Sequence, residues 1–245
     1  AGTDNFNPPR LCNITQAKIA GPSSFTEDEI TLAKAPPLAP PTTTLGNTAS
    51  GEENNILDRF LRFSYRYHYR DGQISALSPF TETAFLPENF QYDYSQASNE
   101  SMVNKFNQVT VGFNTGSSLV DKVEVVFKES GTNEVYSIKT FDKDDQGWAD
   151  NSSQSLVFTN NTAYTALDEF QLRRLYDNVP IVAKALELIG NRLILGNYTE
   201  NYDIDVAVDF TVDQVNSAIS AGTAARSMKS NRNYEVGIAY LDDYG

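Results

Sequence analysis

The 245-residue sequence holds a single cysteine, a single histidine, one tryptophan and two methionines. Cys12 alone excludes an internal disulfide framework and a cysteine-based zinc site. His68 alone leaves no room for a two-histidine mechanism or a histidine-rich metal centre. No apolar run approaches the ~18 residues that a membrane-spanning helix needs. Basic residues are scarce too: 19 Lys and Arg stand against 32 Asp and Glu, a net charge of −13. A general nucleic-acid binder gains from counterion release on a basic surface, and this chain has the opposite balance. Neither a G-x-S-x-G nucleophile turn nor a Gly-rich phosphate loop occurs.

What the chain does have is aromatic and turn-forming. It carries 14 Phe and 13 Tyr, too many for a disordered chain, beside 22 Asn and 20 Thr. The length allows one large domain or two smaller ones. Phe63, Tyr65, Tyr67 and Tyr69 alternate with Ser64, Arg66, His68 and Arg70, which predicts a strand with one aromatic and one polar face. Asp71-Gly72 is a preferred hairpin turn, and Gln73 to Phe80 is the expected returning strand, ended by Pro79. Further strands are expected over Val109–Phe113, Lys122–Lys128 and Glu134–Phe141, with turns at Asn114–Gly116 and Ser130–Asn133.

The fold expected is mainly β: an antiparallel β-sandwich of immunoglobulin or fibronectin-III type, plus further β segments with a few short helices. Residues 1–59 form an extended arm and a Pro-rich connector, with four prolines between Lys34 and Leu45. Residues 60–165 form the sandwich, and 166–245 a second β-rich region. In that region Leu167–Leu175 reads as a short helix and Val182–Ile189 as apolar at mixed spacing. Asn191–Tyr198 reads as a buried strand, and Asp203–Val212 and Tyr234–Tyr240 alternate as strands. Tyr234–Gly245 repeats the strand and acidic Gly turn of Phe63–Gly72 without its return, so the chain reads as a piece of a longer polypeptide.

Candidate chemistry is thin. Asp142, Asp144, Gln146, Gly147 and Asp150 match parts of a calcium loop, but Ser153 stands where the bidentate Glu belongs, so a solvated acidic tip is the plainer expectation. His68 lies on the polar face with Arg66 and Arg70 as a surface or inter-subunit residue. Cys12 sits in a polar arm near Arg10 with nothing to make it a nucleophile. The carboxylates Glu27, Asp28, Glu29, Glu52, Glu53, Asp203, Asp205 and Asp209 read as acidic surface, because spacing alone brings no pair into a cleft. The tyrosine stripe is expected to be the core face of a sandwich strand, with an exposed stacking platform for a sugar or nucleotide as the alternative. No catalytic, cofactor or metal residue is assigned, and the chain is expected not to be an enzyme.

Three segments carry a resemblance. Phe63–Phe80, Leu175–Tyr202 and Tyr234–Gly245 resemble recurrent stretches of the tail muzzle or nozzle ("stabilization") proteins of crAss-like and related podophages. The resemblance covers roughly residues 60–245. It implies a virion structural protein, assembled in the bacterial host cytoplasm as a homo-oligomeric ring. Other tail and portal-proximal proteins would be its partners, and genomic DNA would pass through the ring without specific binding. A receptor- or glycan-binding sandwich module is the alternative. Within a ring, residues 1–45 are expected to lie on the neighbouring subunit, so that their removal would leave the sandwich folded but abolish assembly.

Overall fold

The computed structural model describes residues 9–15, 18, 26–48, 52–86, 90–172, 182–190 and 192–199, with 235 and 237 as single positions. The strand expectations at Asp203–Val212 and Tyr234–Tyr240 lie outside the described residues, apart from those two positions. Two antiparallel sheets dominate. One has the order β1 (Thr42–Gly46), β5 (Gln108–Asn114), β8 (Ser153–Phe158). The other runs β2 (Leu61–Tyr69), β6 (Val120–Glu129), β7 (Val135–Asp142), β9 (Thr165–Ala166). The chain is thus mainly β and contains an antiparallel sandwich.

Alternation explains why the two sheets pack. Val109, Val111 and Phe113 face inward from β5, and Phe63, Tyr65 and Tyr67 face inward from β2. Their rings meet across the interface: Phe63 lies 5.3 Å from Phe158, Phe127 4.9 Å from Phe158, and Tyr65 6.1 Å from Phe113. Edge-to-face and tilted contacts of this kind add to the area they bury. The hairpin expected at Ser130–Asn133 joins β6 to β7, as the pairing of Lys128 with Val135 requires. Between β5 and β6, Gly116 turns the chain at φ +69°. A Cβ there would stand 2.8 Å from Val120 and 2.9 Å from the Tyr67 ring, so both conformation and space demand glycine.

Several elements depart from expectation. The segment after Asp71-Gly72 forms no β ladder beyond a bridge from Ile74 to His68, and it does not end at Pro79. It runs on along β2 with a three-residue beat: the amides of Ser75, Ser78, Thr81 and Ala84 donate to the carbonyls of Tyr67, Tyr65, Phe63 and Leu61. The β2 amides of Tyr67, Tyr65 and Phe63 donate in turn to the hydroxyls of Ser75, Ser78 and Thr81, at 3.0–3.1 Å. Hydroxyls replace backbone acceptors because three residues here match two of β2. Two strand residues advance about 6.6 Å, so the return rises only roughly 2.2 Å per residue. Pro79 fits because its missing N–H falls on a beat that needs no donor.

The connector differs as well. Its last residues form β1, which pairs with β5 from Thr42–Gly112 to Gly46–Gln108, so the sandwich recruits residues assigned above to the arm. Pro36, Pro37 and Pro41 are buried, and the Tyr69 hydroxyl donates to the Ala35 carbonyl at 2.6 Å. This part of the arm lies on its own sandwich. The physical reason is the apolar proline surface, which covers the ends of the tyrosine rings in the same chain. Before it comes α1 (Glu27–Ile30), started by a capping box between Thr26 and Glu29.

Two short helices follow β7 and β9: α2 (Lys143–Gln146) and α3 (Glu169–Leu172), the latter within the helix expected at Leu167–Leu175. Two small ribbons stand apart from the main sheets. One pairs β3 (Tyr92–Asp93) with β4 (Ser98–Asn99). The other pairs β10 (Val182–Ile189) with β11 (Arg192–Thr199) through a turn at Gly190, φ +61°. The strand expected to be buried at Asn191–Tyr198 is therefore one arm of a hairpin, and Ile194 and Tyr198 are about half exposed. No described helix is long and apolar enough to cross a membrane.

Candidate functional site

The tyrosine stripe is core. Tyr65, Tyr67 and Tyr69 retain 4%, 8% and 8% of their surface, which rules out a flat stacking platform. Their outer ends border a cavity of about 430 Å³, walled on the other side by Pro36 and Pro37 and flanked by Asn114, Asn151 and Asp28. Burial pushes all three phenol pKa values up. For Tyr67 the neighbouring Tyr65 adds to this, and for Tyr69 the carboxylates of Asp28 and Asp71 do so. All three are therefore neutral hydrogen-bond donors at physiological pH and cannot act as bases. The amine of Lys34, 5% exposed, is held by the carbonyls of Asp28 (2.6 Å) and Glu29 (3.0 Å), with Asp71 at 3.7 Å. Both carbonyls are among the last four of α1, which the helix itself leaves without partners, so a cation is favoured there. The cavity thus joins the connector to the sandwich, and no nucleophile–base pair lines it among the described residues.

A second cluster lies on the opposite face of β2. Arg66 and Glu124 pair directly in the β2–β6 register and are 2% and 5% exposed. Arg66 Nε donates to Glu124 Oε2 at 2.7 Å, His68 Nε2 lies 2.8 Å from the same oxygen, and Ser137 donates to Oε1 at 2.6 Å. Arg66 Nη2 reaches Gln171 of α3 at 2.8 Å. Burial alone would raise the Glu124 pKa, but the bonds from His68, Arg66 and Ser137 prevail and hold it at about 2. The polar face of β2 is not the exposed surface expected from alternation. Strand β2 lies between β6 and the return segment, and Gln171 of α3 reaches across it. Glu124 escaped the sequence analysis because its partnership with Arg66 depends on register, 58 residues apart. The only sequence signal was a run of basic residues on one strand face, which needed an acid opposite.

The acidic loop adopts another structure than a calcium loop. Asp142 caps α2: its Oδ1 accepts from the amides of Asp144 and Asp145, and its Oδ2 lies 3.0 Å from the amine of Lys122. Lys143 is buried, with its amine 2.7 Å from Asp150 and 2.9 Å from the Ser117 carbonyl. Gly147 ends the turn in the left-handed region. Lysines thus occupy Asp142 and Asp150, two of the three carboxylates that the calcium loop would use. No group of three or more potential metal ligands converges among the described residues. Cys12 is exposed and free. Glu27 pairs with Arg10, Glu29 serves the capping box, Glu52 and Glu53 are exposed, and Asp203, Asp205 and Asp209 lie outside the described residues.

Apolar surface concentrates elsewhere. Nine of the fifteen large, exposed hydrophobic side chains among the described residues fall in two segments. Leu86, Phe90, Tyr92, Tyr94 and Met102 surround the β3–β4 ribbon; Leu188, Ile189, Ile194 and Tyr198 stand on the β10–β11 hairpin. Within the first segment the rings of Phe90, Tyr92 and Tyr94 touch in series, and exposed apolar surface of this kind marks interaction surfaces. In comparisons with known proteins, no family model, curated protein or solved structure matches the chain.

Proposed function

We propose that this chain is a structural component of a bacteriophage tail, part of a muzzle or nozzle ring around the DNA ejection channel. The observation that carries the proposal is the β10–β11 hairpin. It falls inside Leu175–Tyr202, the most recognisable stretch of the resemblance to the tail proteins, and among the described residues its strands pair only with each other. A lone two-stranded hairpin is marginal in water, and this one presents Leu188 at 71% exposure. Such an element is suited to assembly. Acidity suits the role: a charge of −13 repels DNA phosphate and lets the genome slide past without being gripped.

Under this proposal the protein is no enzyme; it resides in the virion after assembly in the host cytoplasm and contacts other tail and portal-proximal proteins. A receptor- or glycan-binding module would need the tyrosine stripe or an acidic loop exposed; the stripe is buried, and in the acidic loop Asp142 and Asp150 are bound by Lys122 and Lys143. Imaging of particles in which this chain carries a bulky tag provides the test. Density repeated symmetrically around the tail axis is the expected result. A single copy per particle, or no tag on the tail, would overturn the proposal.

A further inference from the structure

The two main sheets treat their edges differently. On the four-stranded sheet, the return segment from Ser75 to Ala84 runs along β2, and β9 covers part of β7. On the three-stranded sheet, β1 and β8 stand at the two edges, and among the described residues no strand pairs with their outer sides. Neither edge carries a charge that would deter pairing: Ala35–Gly51 and Asn151–Leu167 contain no Asp, Glu, Lys or Arg. Val157 is 53% exposed, and Leu45 and Leu156 are only partly buried against the core.

The register shows which backbone groups face outward. The Thr115 amide donates to the Ser152 carbonyl, in line with the β5–β8 pairing. Opposed residues of an antiparallel pair alternate between bonded and non-bonded. Phe113–Gln154, Val111–Leu156 and Val109–Phe158 therefore exchange the ladder bonds, and Ser153, Ser155 and Val157 aim their amides and carbonyls away from β5. On its other side β5 bonds Thr42, Thr44 and Gly46 through Gly112, Thr110 and Gln108, so Thr43 and Leu45 point outward from β1. Pro41, just before β1, removes no donor from that pair.

We propose that β8 of one copy pairs with β1 of the next, so that the three-stranded sheets run on from subunit to subunit. Bare amides and carbonyls along an edge are satisfied by another strand. Both β1 and β8 are antiparallel to β5, hence parallel to each other, and a sheet continuing into a second copy joins them in parallel. With Ser155 beside Thr44, the Ser155 amide meets the Thr43 carbonyl, and the Leu45 amide meets the Ser155 carbonyl. The same register sets Leu156 beside Leu45 on the core face, where each covers the other. Pairing β8 with β8, or β1 with β1, would leave one edge of every subunit bare. The heterologous contact uses both edges, and a closed ring leaves none. The inference rests on the ring proposed above and names its contact, yet the contact is measurable without any tail.

The test uses two variants of the whole chain, Ser155→Pro on β8 and Thr43→Pro on β1. Each removes an outward amide that the β5 ladder does not use, so the sandwich should stay folded. In sedimentation the parent is expected to self-associate, and each variant alone to do so at least about tenfold more weakly. An equimolar mixture retains one intact β1 and one intact β8, so it should form a dimer and nothing larger. Amide exchange at Ser155 and Leu45 should be slower in the associated parent than in either variant. Should a proline variant fail to fold, exposed side chains decide: Thr44→Lys with Ser155→Lys should weaken association, and Thr44→Lys with Ser155→Glu should restore it. A parent chain that stays monomeric at high micromolar concentration overturns the inference. So does a folded Thr43→Pro or Ser155→Pro chain that assembles like the parent, which would mean that β8 pairs with β8 or β1 with β1. A symmetric ring in particle images together with unaffected variants would sink this contact and spare the ring. Complementing variants with no copy on the tail would do the reverse.

Discussion

Glu124 accepts hydrogen bonds from three side chains while almost wholly buried, and its ionisation is tied to folding. Its folded pKa of about 2 lies below the ordinary 4.5, so its stabilisation is fully present above about pH 4.5 and is lost as pH falls toward 2. That difference is worth on the order of 3 kcal/mol. The melting temperature should therefore drop between pH 4.5 and 2, and Glu124→Gln should flatten the drop while lowering stability at pH 7. A variant with the parent's acid profile would show that other carboxylates control it. Tyr67 acts through packing: it touches Tyr65 and Tyr69 edge-on and closes over Gly116. Truncation to Ala should cost about 3–5 kcal/mol in chemical denaturation, as for other large buried rings.

At the scale of elements, the return along β2 depends on hydroxyls placed every third residue. Ser78→Ala removes the acceptor for the buried amide of Tyr65, which should cost about 1–3 kcal/mol. Ser78→Thr, which keeps the oxygen, should lose less in the same denaturation series. The α2 turn gives a contrasting expectation. Asp142 and Asp150 are already matched by Lys122 and Lys143, so EDTA should leave the melting temperature unchanged. A fall of several degrees that calcium restores would mean that these lysines give way to a metal.

Taken as one molecule, the sandwich is completed by the segment that precedes it in sequence. β1 covers the edge of β5, and the prolines before it cover the tyrosine end of the core. Removing residues 1–46 should lower the melting temperature and cause aggregation, because β5 would become an open edge. Light scattering during a thermal ramp checks this. A truncated chain that stays soluble and melts like the parent would show that the arm contributes nothing to the fold.

Strict alternation from Phe63 to Tyr69 was enough to specify β2 and its core face, because a strand's side chains alternate whatever lies around it. Asn114–Gly116 and Ser130–Asn133 were likewise legible as turns, since local backbone preference sets them. The polar face of β2 was not, nor were the partnership of Arg66 with Glu124, the three-residue beat of Ser75, Ser78 and Thr81, or the seat of Pro36 and Pro37. Each of these depends on which segments lie side by side, and alternation within one strand carries no information about its neighbours. Hairpin β10–β11 shows the same limit from the other side: its apolar residues were visible in the sequence, but only pairing revealed that Leu186, Leu188, Leu193 and Leu195 share one face.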